Sequence, residues 1–200
     1  MKKIITIGRQ FGSGGREVGQ KVAQALHIAY YDKELLAVAA KKSGLSSQFM
    51  NTYDEKPTRS FLYSLVMGQR GLSPDSAETT VEQLAANAQR DAILAVAGEG
   101  SCVIVGRCAD HVLRNEQGLL RVFLTADHGD RIQRICRRDS VTTAEAEEKL
   151  QRMDRSRAAY YRFRCDQTWG AAANYDLCIN VSRWGVDAAV ETIVERCSRS

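Results

Sequence analysis

Near its start the chain reads Ile4-Ile5-Thr6-Ile7-Gly8-Arg9-Gln10-Phe11-Gly12-Ser13-Gly14-Gly15-Arg16-Glu17-Val18-Gly19. The apolar residues at its beginning predict a buried strand, and the apolar spacing after Gly15 predicts a helix. A glycine-rich turn between them directs successive backbone N–H groups at one centre, to which the helix N-terminus adds its dipole. A plain turn needs only one glycine, whereas residues 8–19 hold five of the chain's fifteen. The stretch therefore predicts a phosphate site at Gly12, Ser13, Gly14, Gly15, Arg16 and Glu17.

The stretch departs from the P-loop pattern G-x-x-x-x-G-K-[ST], in which the lysine reaches the terminal phosphates. Gly15 and Arg16 stand where that pattern has the lysine and the hydroxyl residue. We expect Arg16, or an arginine from a later segment, to supply the missing positive charge; the alternative is that Arg16 is only a solvent-exposed residue. Glu17 is expected either to bind Mg²⁺ or to stabilise the helix N-terminus.

The rest of the chain alternates short apolar runs with helical patterns. The predicted strands are Ile4–Ile7, Ile28–Tyr31, Cys102–Val105, Leu120–Leu124 and Leu177–Val181. The predicted helices are 16–26, 33–42, 78–97, 127–138, 144–161 and 186–198. Strands that alternate with helices predict an α/β fold with a five-stranded parallel sheet flanked by helices. The first, third and fifth strands lack polar alternation, so we expect them to be buried on both faces.

Two long intervals between strands predict insertions into one domain of 200 residues. The first, 43–97, is rich in glycine, serine and proline in its first half. The second, 137–165, lies in a segment from Arg121 to Cys165 that holds eleven basic and seven acidic residues and so accounts for the chain's net charge of +4. Arginine favours bidentate contact with phosphate, but a solvated helix face with paired charges explains the same pattern. The core would then be 1–42, 98–136 and 166–200.

The composition excludes several other classes of protein. No apolar run is long enough to cross a bilayer, and the six cysteines show no C-x-x-C spacing, so we expect a cytoplasmic protein without a membrane partner. The sequence holds no basic stripe interleaved with aromatic residues, so we do not expect nucleic acid as a partner. The sequence leaves open whether the protein forms a homo-oligomer.

Several motifs together resemble the cytidylate kinase-like family, relatives of cytidylate kinase among the P-loop nucleoside monophosphate kinases. They are residues 7–19, Tyr30-Tyr31-Asp32-Lys33-Glu34-Leu35, Val105-Gly106-Arg107-Cys108-Ala109-Asp110, Val122-Phe123-Leu124-Thr125-Ala126, Met153-Asp154-Arg155-Ser156-Arg157 and 175–182. The resemblance implies a P-loop kinase-like fold that transfers a phosphoryl group from ATP, with Mg²⁺, to a nucleoside monophosphate or another small acceptor. It also implies that 43–97 binds the acceptor and that 137–165 forms a lid.

The resemblance assigns roles to single residues as well. Arg155 and Arg157 match the lid motif Asp-Arg-x-Arg and are expected to be catalytic, and Asp154 of the same motif is expected in the substrate site. The alternative is that the two arginines are surface charges paired with Asp154 and Glu148. Arg107 resembles the arginine that holds the acceptor phosphate. Cys108 replaces the aspartate that reads cytosine, and Asp110 follows two positions later as a substitute in the acceptor site.

Asp32 bears on the kind of acceptor. A carboxylate there serves as the base for a hydroxyl acceptor or as a Mg²⁺ ligand, and the alternative is that it caps the helix predicted from Lys33. A nucleotide-binding sensor that has lost turnover together with the P-loop lysine is the competing function. Both functions predict that the chain binds ATP.

Overall fold

The computed structural model describes residues 2–32 and 81–199, and residues 81–85 by their backbone alone. Five strands lie in chain order at β1 (Ile4–Arg9), β2 (Ala29–Tyr31), β3 (Cys102–Val105), β4 (Leu119–Thr125) and β5 (Leu177–Asn180). The helices are α1 (Gly15–Leu26), α2 (Val81–Glu99), α3 (Ala109–Val112), α4 (His128–Asp139), α5 (Thr143–Cys165), α6 (Val181–Trp184) and α7 (Val186–Ser198), with a 3₁₀ turn at Ala172–Asn174.

The strands form one parallel sheet in the order β2-β3-β1-β4-β5. Because all carboxyl ends meet at one edge, the segments after β1, β2 and β3 lie side by side there. The predicted parallel α/β sheet is confirmed, and each predicted strand agrees with an observed one to within a few residues. The helix predicted at 33–42 lies outside the described residues.

Side chains alternate between the two faces of β1, and each face has its own core. Ile5 and Ile7 pack with α1 and α7 in one cluster, whereas Ile4 packs in the other against Ala92 and Ile93 of α2. The last part of α2 therefore belongs to the packing of the sheet. Residues 43–80 of the first expected insertion lie outside the described residues.

The expectation that the fifth strand is buried on both faces is wrong. Strand β5 lies at the edge of the sheet and pairs only with β4, and Cys178 at its centre is exposed. A run of four residues is too short for its apolar letters to separate an edge strand from a central one. None of the six cysteines, all of which the structure describes, forms a disulfide.

Helix α5 begins with a capping box between Thr142 and Glu145, in which each side chain bonds the other residue's backbone N–H. It follows α4 after a short turn at Ser140, so the two helices form a hairpin whose inner residues Ile135, Ala146 and Leu150 pack with Phe11. The arginine-rich segment is thereby attached to the turn after β1. Among the helices that the structure describes, none is long and apolar enough to cross a membrane.

Candidate active site

The turn after β1 leaves several backbone N–H groups without a hydrogen bond to any residue that the structure describes. Gly12 and Gly14 adopt φ values of +80° and +84°, a left-handed conformation that favours glycine, and α1 starts at Gly15. The first bond of the helix runs from Val18 N–H to Gly14 C=O at 3.0 Å. The N–H groups of Gly14, Gly15 and Arg16 make no hydrogen bond with any residue that the structure describes. An anion placed against this turn would therefore find donors that are still available.

Ser13 plays a different part from its neighbours. It is buried, and both its hydroxyl and its N–H donate to Gln10 C=O, at 2.9 and 3.3 Å. Its side chain thus closes the turn from inside and does not line the cleft described below.

An ion pair from the helical hairpin holds the turn in place. Phe11 N–H donates to Asp154 Oδ1 at 2.8 Å, and Arg131 Nε donates to Phe11 C=O at 2.8 Å. Arg131 and Asp154 also form an ion pair with each other. A Cβ on Gly12 would lie 2.8 Å from the carbonyl oxygen of Arg131, so only glycine allows this close approach. Asp154, expected in the substrate site, therefore anchors the turn from behind.

The turn opens on a large basic cleft. Its volume is about 960 Å³, and eight basic and three acidic side chains line it. The basic residues come from the ends of β1 and β3, from the first turn of α1 and from α4 and α5. Such an excess of positive charge attracts a polyanion.

Asp32 lies at the centre of the arginines that come from the strands. Its carboxylate, 4% exposed, accepts from Arg16 Nε at 2.5 Å and from Arg107 Nη1 at 3.2 Å. Arg9 Nη2 lies 3.9 Å from the same carboxylate. The carboxylate therefore compensates guanidinium groups that converge on it from three segments. Whether Asp32 also caps a helix lies outside the described residues.

Glu17 and Arg134 bridge α1 and α4 across the mouth of the turn. Arg134 Nη1 donates to Glu17 Oε2 at 2.7 Å, and a Cβ on Gly14 would lie 3.2 Å from the Arg134 guanidinium carbon. An arginine of the arginine-rich segment 121–165 thus stands directly over Gly14. Among the residues that the structure describes, no group of three or more metal-ligating side chains is found.

The two arginines of the predicted lid motif face opposite ways. Arg157 lines the cleft, donates to Arg9 C=O at 3.2 Å, and holds its guanidinium 5.5 Å from the centre of the Phe11 ring. Arg155 is exposed and donates to Gln151 of its own helix at 3.2 Å. Residues two apart on a helix point in different directions, so a motif that names both arginines brings only one into the cleft.

The turn after β3 joins the cleft to a smaller cavity. Arg107, buried, and Cys108 adopt φ values of 60° and 55°. A cavity of about 20 Å³, room for about one water molecule, lies beside them and shares Arg9, Arg107 and Arg157 with the cleft. Its remaining walls are mainly aromatic.

Asp110 lies in this small cavity and is already bonded. Tyr161 donates to Asp110 Oδ2 at 2.6 Å, and burial raises the pKa of Asp110 in spite of that bond. Cys108 lies in one buried cluster with Cys165, and a hydrogen bond between the two thiols, together with burial, raises the pKa of Cys108. Cys108 is thus a neutral thiol at the position where the resemblance predicts an aspartate. Trp169 packs edge-on against Phe123, with ring centroids 5.4 Å apart, so packing explains its position.

Three residues that the sequence did not single out take part in this site. Arg131 and Arg134 belong to the arginine-rich segment, whose composition indicates anion binding but whose spacing does not say which members face the turn. Arg9 lies inside the glycine stretch itself. The sequence feature that points to Arg9 is the glycine at position 15 in place of the P-loop lysine, because a glycine there leaves space for another side chain.

The parallel sheet, with a glycine turn after its first strand and a basic cleft at the strand ends, defines a P-loop kinase fold. Residues 4–183 match the cytidylate kinase-like family, and the chain belongs to this family. A cytidylate kinase from Methanopyrus kandleri is 24% identical, with 96% of this chain and 95% of that protein covered.

Solved structures agree with this fold. An uncharacterised protein from Eubacterium ventriosum has 27% identity and a TM-score of 0.75, with both chains fully covered. Shikimate kinase from Bacteroides thetaiotaomicron has 15% identity and a TM-score of 0.55, with 99% of each chain covered. The family and the fold together support a nucleotide-dependent kinase.

Proposed function

We propose that this protein transfers the terminal phosphoryl group of ATP, with Mg²⁺, to a nucleoside monophosphate or another small acceptor. The observation that carries the proposal is the set of available N–H groups at Gly14, Gly15 and Arg16, which open on the basic cleft. Phosphoryl transfer requires mainly positioning and positive charge around the moving group. The cleft supplies both.

The turn of residues 12–17 is the donor site in this proposal. Backbone N–H groups and the N-terminus of α1 bind the phosphates of ATP, because both favour negative charge. Arg134, over Gly14, and Arg157, which lines the same cleft, add guanidinium groups. Segment 137–165 serves as the lid, and Arg157 is its catalytic arginine.

The acidic residues of the cleft differ in how well they are placed to bind Mg²⁺. Mg²⁺ is commonly held by one or two carboxylates together with substrate phosphates, so a dedicated metal cluster is not needed. Glu17 is half-exposed in the cleft, with its side chain 46% accessible, whereas Asp32 is enclosed by three arginines. Glu17 is therefore the residue that would face the metal, which when bound neutralises charge on the phosphates.

The acceptor site lies on the β3 side, where Arg107 is the buried cation. It binds a phosphate-bearing acceptor. Asp32 already accepts hydrogen bonds from Arg16 and Arg107, which suits a residue that positions arginines more than a base for a hydroxyl acceptor. Because Cys108 is a neutral thiol and Asp110 is bonded to Tyr161, we do not expect a preference for cytosine.

The test is the release of ADP from ATP and Mg²⁺ with a panel of nucleoside monophosphates and small alcohols. We expect turnover with a phosphate-bearing acceptor and loss of that turnover in Arg107→Ala. Turnover only with an alcohol would favour Asp32 as a base. Tight ATP binding without turnover across the panel would favour the sensor, and failure to bind ATP would overturn the proposal.

A further inference from the structure

Gly15 occupies the position of the P-loop lysine, and its surroundings explain why no side chain is there. Gly15 is buried and starts α1 without a positive φ, so its backbone conformation does not require glycine. A Cβ on Gly15 would lie 2.6 Å from Cβ and 2.7 Å from Cγ of Arg9. Cβ atoms in proteins essentially never come that close to an atom to which they are not covalently linked. The stem of Arg9 therefore fills the space into which a side chain at residue 15 would extend.

The guanidinium group of Arg9 continues from there toward the acceptor side. It passes over Gly106, whose φ is +79° and at which a Cβ would lie 2.8 Å from Cζ of Arg9. It ends with Nη2 3.9 Å from Asp32 Oδ1, and the side chain is 11% exposed. Arg9 also lines both the large cleft and the small cavity beside Arg107. Its cation thus lies between the donor turn and the acceptor arginine.

We propose that Arg9 is the catalytic cation that replaces the P-loop lysine, reaching the transferred phosphoryl group from β1 along the path that Gly15 leaves open. Two glycines make this path possible, because side chains at residues 15 and 106 would both collide with Arg9. This proposal rests on the proposed function.

The other candidate cations are placed less well for this role. The side chain of Arg16 is 53% exposed and approaches Asp32 from the solvent side. Arg134 stands over the outer side of the turn, where it is bonded to Glu17. Arg9 is mostly buried and is held before any ligand arrives, which is the arrangement that stabilises developing charge without reorganisation.

The experiment exchanges the two positions. We expect Arg9→Ala to lower ATP affinity, measured by calorimetry, and the rate of ADP release together by about a hundredfold, the scale of a lost catalytic charge contact. We expect Gly15→Lys alone to lower the melting temperature, because its Cβ meets the Arg9 stem. In the double variant Arg9→Ala with Gly15→Lys the lysine enters the vacated space, so we expect recovery of the melting temperature and of about tenfold in ATP affinity.

A second double variant, Arg9→Ala with Gly15→Met, fills the same space without charge. It should recover the melting temperature but not the ATP affinity. The proposal is overturned if folded Arg9→Ala keeps ATP affinity and rate within about twofold of the wild type, or if lysine and methionine at residue 15 restore affinity equally. Failure of the wild type to bind ATP overturns the proposed function first, and this proposal with it. Loss confined to the Arg9 variants separates the two.

Discussion

Arginines reach the cleft in two different ways. Those at the strand ends are mostly buried: the side chains of Arg9, the last residue of β1, and Arg107, after β3, are 11% and 2% exposed, and Asp32 lies beside both. Those of helix α4 are more open: Arg134 and Arg138 are 35% and 46% exposed, each bonded to a carboxylate that lines the cleft. Arg137, also exposed and lining the cleft, makes no ion pair with any residue that the structure describes.

The two sets of arginines therefore differ in whether the guanidinium groups are fixed in position or able to move. A buried guanidinium is tolerated only when it is paired and hydrogen-bonded, so its position is set during folding. A surface ion pair is worth at most about 1 kcal/mol, so it exchanges readily for an incoming phosphate. The strand-end arginines are therefore suited to act on a transferred group, and the arginines of α4 are suited to attract and enclose a polyanion.

The largest expected effect breaks the surface that both sets of arginines face. Gly14→Val puts a branched side chain at φ +84°, with its Cβ 3.2 Å from the Arg134 guanidinium. We expect ATP affinity to fall at least about a thousandfold, because the side chain fills the phosphate site and displaces its amides. Calorimetry measures the affinity, and circular dichroism should show an unchanged fold.

The matched control is Gly98→Val, since Gly98 is exposed and a Cβ there meets nothing within 4 Å among the described atoms. It should bind ATP as the wild type does. Unchanged ATP affinity in Gly14→Val would contradict the assignment of the donor site.

The next effect sharpens the comparison within α5. Arg157→Ala removes the guanidinium that lines the cleft, and we expect kcat to fall by about a hundredfold or more, as for other arginines that close over a transferred phosphoryl group. Arg155→Ala removes an exposed side chain bonded to Gln151 and should change kcat by less than about twofold. Steady-state kinetics on both variants checks this. Equal losses would contradict the assignment of Arg157, and not Arg155, to the cleft.

A third prediction concerns stability. Asp154→Ala leaves the buried Arg131 without its carboxylate and Phe11 N–H without its acceptor. Breaking such a buried pair costs about 3 kcal/mol, which for a chain of this size lowers Tm by about 9 °C. Calorimetry on Glu148→Ala, an exposed carboxylate of the same helix, provides the control and should show little change. A Tm of Asp154→Ala equal to that of the control would contradict the anchoring role.

Much of this architecture could be predicted from the sequence, because it depends on local signals. The alternation of apolar runs with helical periods indicated the parallel sheet, and the glycines of residues 8–19 indicated the turn before α1. The particular arginines could not be predicted. Arg131 meets Phe11 across 120 positions of chain, and no spacing in the sequence records that approach. The motif containing Arg155 and Arg157 also gave no means of telling which one faces inward.

The smallest expected effect concerns Asp110, which lines the small cavity beside Arg107. Burial raises the pKa of Asp110 above the ordinary value of 3.8, so folding takes up a proton and the wild type loses stability as pH rises past 3.8 toward the folded pKa. Asp110→Asn removes this titration while Tyr161 can still donate to the side chain at residue 110. We expect Tm of the variant minus Tm of the wild type to increase as the pH rises past 3.8. A constant difference would contradict the burial of this carboxyl group.

The central claim is that the turn of residues 12–17 binds the phosphates of ATP through its backbone. The most direct measurement is a titration of ¹⁵N-labelled protein with ATP and Mg²⁺, followed by the amide signals in NMR spectra. The account predicts that the largest shifts occur at Gly14, Gly15 and Arg16 and that inorganic triphosphate reproduces them. Binding of ATP that leaves these three amide signals unchanged would contradict it.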